Sequence, residues 1–197
     1  MALSRRIRIA TGFLAIVAVG YGVTSFWLHR NDIPQDFTDA RQQGAQIAQQ
    51  IVDLSNQSTA ELSQVNQYDK QGDYTDALAL TTQMVQQSTD LRNKAVDLSN
   101  QIGAMTKSLS DISSFGAQQA ALESISSRLA LINQLVNYSG DLGKLLDILQ
   151  KHFTTHLYNN AEVQAAINQI NTDVNAINNF NTQANRSMDT FDKLMNQ

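Results

Sequence analysis

The chain of 197 residues has no cysteine and a single proline. Without cysteine there is no disulfide framework, no thiolate metal site, no iron–sulfur cluster and no cysteine nucleophile. One proline argues against a loop-rich or polyproline chain. Charge is sparse at 16%, and glutamate occurs only at Glu61, Glu123 and Glu162. Polarity comes instead from 39 Asn and Gln residues and 16 Ser residues. Such a bias can mean disorder, but here the apolar residues recur at regular spacing, which points to folded helices.

Basic stripes are also missing. After residue 30 there are 18 acids against 10 Lys and Arg, a net charge of −8. That excludes the positive surface that nucleic-acid binding needs, so no nucleic-acid partner is expected. No Gly-rich phosphate loop, nucleophile elbow or metalloprotease motif is present. The reading is therefore non-enzymatic, with no catalytic residue, no cofactor and no metal assigned.

What is present begins at the N-terminus. Arg5, Arg6 and Arg8 precede Ile9–Leu28, twenty residues without a charge. At ~1.5 Å per residue that run covers roughly 30 Å, the thickness of a bilayer's hydrocarbon core. Phe26 and Trp27 stand at its far end, where such rings favour the membrane interface. Three arginines before the run and one after it orient the N-terminus inside and the remainder outside. The rival is a cleaved signal peptide cut after Val23-Thr24-Ser25. The expected division is a tail at 1–8, a transmembrane anchor at 9–28, a linker at 29–36 and an extracytoplasmic bundle at 37–197. The expected location is the bacterial cytoplasmic membrane, single-pass.

Beyond Pro34 the apolar spacing alternates between three and four, the signature of amphipathic helices. One stripe runs from Phe37 to Tyr68. A second runs from Ala77 to Ile112 through Met84, Leu91, Leu98 and Met105. A third takes Leu122, Ile125, Leu129, Ile132 and Val136, loses register near Gly140, then resumes to Phe153. A fourth runs from Val163 to Met195. Turns are expected at Lys70–Asp73, at Ser113-Ser114 and before Asn159, each with a capping residue. Gly140 predicts a kink or break re-capped by Ser139 or Asp141. The fold class is all-α: an antiparallel up-down-up-down four-helix bundle of helices roughly 50–60 Å long, because short connections force neighbours to run in opposite directions.

Tyr68–Leu78 resembles a fragment of a tetratricopeptide repeat, through G-D-Y-x-x-A-L at Gly72–Leu78. No second copy follows at a period of 34, so it reads as a helix-turn-helix. The layout as a whole resembles the membrane-proximal helical ectodomains of bacterial chemoreceptors, without a shared motif, a second span or a signalling region. No family is assigned.

The topology brings Tyr68, Tyr74, His152, Phe153, His156 and Tyr158 to the end of the bundle far from the membrane. Aromatics at a wet bundle end suit a partner contact, or else they plug the core. His152 and His156, at i and i+4, would share a helix face and could meet a metal, but no carboxylate lies between them and Asp147 is a turn away at best. The expected function is an interaction or structural subunit of the cell envelope. It would be held to the membrane by its N-terminal helix and hold a protein partner by its tip or one helix face, while small-residue packing on the second helix suits another copy of itself. The alternative is a small-molecule sensor with a pocket near Tyr138, Phe180 and Gly140.

Overall fold

A computed structural model describes residues 33–157 and 159–196. Ile9–Leu28 and Tyr158 lie outside the described residues, so the anchor and one of the tip aromatics are not placed. Among the described residues no helix is long and apolar enough to cross a membrane.

The described chain is all-helical. Helix α1 is Gln35–Gln71, α2 Tyr74–Lys107, α3 Phe115–Thr155 and α4 Asn160–Met195, with a short 3₁₀ turn at Leu109–Asp111. Their lengths are 37, 34, 41 and 36 residues, so they run nearly the full height of the molecule.

The turns follow from local chemistry. Gly72 takes a left-handed conformation (φ +77°) that ends α1 and reverses the chain within two residues. The Asp73 carboxylate then accepts from Asp76 N–H and starts α2. Ser114 Oγ accepts from Ala117 N–H at the head of α3, and Asn159 Oδ1 accepts from Ala161 and Glu162 N–H at the head of α4. Ile112 is buried although it lies beyond α2, because the 3₁₀ turn folds it back under the bundle.

Neighbouring helices are antiparallel. Glu61 of α1 accepts from Gln87 of α2, Ser88 of α2 donates to the Ser139 carbonyl of α3, and Ser124 of α3 donates to the Ala184 carbonyl of α4. Across the diagonal α1 and α3 run parallel: Ser55 meets Tyr138 and Asp69 meets His152, both at an offset of 83 residues. At the near end α4 returns to α1. Phe37 and Phe191 stack with centroids 5.1 Å apart, and Arg41 forks onto Asp192 at 2.7 and 2.8 Å. All ten expected stripe residues of α2 from Ala77 to Leu109 are buried or half-buried, as are those of α4.

Two expectations for α3 fail. Leu122 and Leu129, expected in the core, are 53% and 43% exposed. The face turned inward instead carries Ala117, Ala121, Ser124 and Arg128. The cause is the close crossing with α4: a hydroxyl-to-carbonyl contact of 2.8 Å between Ser124 and Ala184 admits only small side chains there. The break near Gly140 is also absent, since α3 is one uninterrupted helix from Phe115 to Thr155. Gly140 is exposed, and its neighbours Tyr138, Ser139 and Leu142 are all buried, so tertiary packing outweighs the ~1 kcal/mol helix penalty of a glycine.

Candidate functional site

Three helix ends build the far tip. Asp69 and Tyr68 close α1, Tyr74 opens α2, and His152 and Phe153 lie in the last turn of α3. Tyr74 is the hub. Its ring lies 4.9 Å from His156, 5.7 Å edge-on from His152 and 6.1 Å stacked from Phe153. Tyr68 is half-buried and its hydroxyl accepts from Gln64 at 2.9 Å.

His152 is fixed from both sides of its ring. Nε2 meets Asp69 Oδ1 at 3.0 Å, and Nδ1 meets the Leu157 carbonyl at 3.2 Å. The histidine thus ties the end of α1 to the α3–α4 connection, with both partners' side chains less than a tenth exposed. His156 does not extend the helix face. It takes a left-handed conformation (φ 58°) as the cap of α3, donating its N–H to the His152 carbonyl. Both histidine rings lie against Tyr74, and both nitrogens of His152 are committed. Among the described residues no three His, Cys, Asp or Glu side chains converge on a metal position.

The tip residues serve two roles. His152 and Phe153 are buried and fill the end of the core. Phe153 also borders, with Tyr74, His156, Thr75, Leu78, Ala79 and Thr82, an open groove of about 550 Å³ along α2. Asp69, which holds the arrangement together, has no signal in the sequence beyond its place before the turn.

A second polar cluster lies halfway up. Arg92 of α2, Asn137, Asp141 and Lys144 of α3 and Gln169 of α4 surround an open groove of about 320 Å³ over Gly140. Lys144 donates to Asp141 at 2.6 Å, and that bond holds the ammonium above its ordinary range. Tyr138 is not part of the groove. It is buried, its hydroxyl 3.4 Å from Ser55 Oγ, and burial pushes its phenol up against the weaker pull of that contact. Of the residues expected at a pocket, Gly140 borders the groove where polar groups converge, while Tyr138 and Phe180 do not.

Arg128 is the remaining surprise of the interior. It is 3% exposed, its Nε donates to Ser124 Oγ at 3.3 Å, and desolvation lowers its guanidinium to about 10. The sequence placed apolar Leu129 in that position.

The outside of α3 carries what its core does not. Phe115, Leu122 and Leu129 stand seven residues apart, with Phe115 78% exposed, and Val96 of α2 is exposed as well. Residues spaced by seven share one side of a helix, so these three form a row. No protein-family model, no curated protein and no solved structure matches the chain.

Proposed function

We propose that the protein is a membrane-tethered, extracytoplasmic helical stalk that acts as an interaction or structural subunit and has no chemistry of its own. The apolar run Ile9–Leu28 supplies the tether. The observation that carries the interaction role is the row Phe115, Leu122 and Leu129 on the outside of α3. Soluble monomers rarely leave such a row in water, and one apolar residue every two turns suits the edge of another helix. The groove beside Tyr74 and His156 at the tip offers a further contact.

The absence of cysteine makes the test clean, since any cysteine introduced is the only one. Leu157→Cys, at a 72% exposed tip position, is expected to react with a membrane-impermeant maleimide in intact cells. Reaction only after lysis would overturn the location. Leu122→Cys is expected to cross-link to a second chain under mild oxidation in native membranes, while Asp147→Cys, exposed on the upper part of α3, is expected not to. Equal behaviour of the two positions would overturn the interaction role.

A sensor reading rests on the polar groove over Gly140. Polar small molecules that raise the unfolding temperature of wild type but not of Arg92→Ala would favour it.

A further inference from the structure

Asp173 lies on α4 beside Val174, within the row Ile170, Val174 and Ile177 that faces the core. It is 3% exposed. Its Oδ1 accepts from Gln169 Nε2 at 3.2 Å, while its buried Oδ2 receives no N–H or O–H donor. Gln169, which holds Asp173, lines one groove with a second carboxyl, Asp141 of α3, and the two acids are electrostatic neighbours across the α3–α4 seam.

Two ionised carboxylates offer only acceptors to each other, so no hydrogen bond can form between them. One proton supplies the missing donor and removes the repulsion. Lys144 already balances the charge of Asp141, but it is 73% exposed and its field at Asp173 is screened by water. Arg92 across the groove is exposed as well, so what the buried Oδ2 lacks is a donor at short range. A proton meets that need, whereas a divalent cation would leave excess positive charge beside Lys144 and Arg92.

We infer that Asp141 and Asp173 form a proton-operated latch between α3 and α4: one shared proton bonds the two helices at mid-height, and its loss loosens that seam. The latch stands independently of the location and partner proposed above.

The charged neighbours are few. On α3 they are Asp141 and Lys144, α4 gives the neutral amide of Gln169, and Arg92 of α2 lines the adjoining groove. Burial, then the hydrogen bond and charge of Asp141, push the Asp173 carboxyl up to about 6, against smaller opposing pulls from Gln169 and Lys144. An unfolded chain releases the same proton near 3.8. Between these values the folded state holds more protons than the unfolded one, so rising pH removes stability. At ten per pH unit the folding equilibrium changes by at most roughly a hundredfold, and the loss is complete above the folded value.

The test uses the full chain in detergent micelles. Native-state hydrogen exchange is followed across residues 138–145 and 167–177 between about pH 4.5 and about pH 7.5, with intrinsic exchange rates divided out. Wild type is expected to lose tenfold or more of its protection there as pH rises. Asp173→Asn and Asp141→Asn are each expected to flatten that dependence, because an amide supplies a permanent donor. A carboxyl-carbon NMR titration of wild type, which needs no variant, is expected to show one aspartate ionising near pH 6. The latch is overturned if no aspartate titrates above about pH 5, or if the variants keep the wild-type slope. It is equally overturned if a chelator alone reproduces the high-pH looseness, since the bridging ion would then be a metal.

Discussion

Gly72 and His152 show how much single residues at the tip decide. Gly72 reverses the chain with φ +77°, and a Cβ there would meet nothing within 4 Å. Its role is therefore purely conformational. Gly72→Ala is expected to lower the unfolding free energy by about 1 kcal/mol in urea denaturation, and Gly72→Asn by less. His152 instead acts through both ring nitrogens. His152→Ala leaves the Asp69 carboxylate buried without its partner and is expected to cost about 2–3 kcal/mol, seen as a lower urea midpoint with an unchanged slope. The glycine was readable in the sequence because left-handed turns favour that residue. The histidine's partner was not, since Asp69 and His152 are 83 residues apart and only the register of α1 against α3 joins them.

At the scale of the element, α2 and α4 were legible throughout, and α3 was legible except at Leu122, Leu129 and the expected break near Gly140. The stripes Ala77–Met105 and Val163–Met195 consist of residues whose chemistry matches their burial, so period alone located them. In the first half of α3 the inward face adds Ala, Ser and Arg to Ile125 and Ile132 while Leu122 and Leu129 point outward, and there hydrophobicity misleads. Which face turns inward is set by how closely α4 approaches, and spacing along one chain does not contain that distance. The latch pair was hidden for the same reason, because Asp141 and Asp173 become neighbours only through the α3–α4 crossing. The unbroken helix yields a direct prediction. A Cβ on Gly140 meets nothing within 4 Å, so Gly140→Ala is expected to raise the unfolding free energy by about 0.5–1 kcal/mol. A fall in thermal midpoint would mean that the helix needs glycine there to bend.

For the whole molecule the decisive feature is where the bundle closes. The near end joins the first turns of α1 to the last turns of α4 through the Phe37–Phe191 stack and the Arg41–Asp192 fork. The pair is partly open to water, with side chains 26% and 31% exposed, so Arg41→Ala is expected to cost only about 0.5–1 kcal/mol globally. Its local effect is larger, because water gains the edge of the aromatic stack. Amide exchange over residues 35–45 and 188–195 is expected to quicken before the tip responds.

Because α1 and α4 begin and end side by side, a load drawn between Pro34 and Met195 is concentrated on their few shared contacts rather than spread along the rods. Traction in that direction peels the assembly like a zip, one turn after another, at modest force. Traction between Pro34 and the Gly72 loop is met instead along the axis of α1, by its continuous ladder of backbone hydrogen bonds. Load between the two helix ends is therefore met first at the base, and load from base to tip by α1 as one continuous rod.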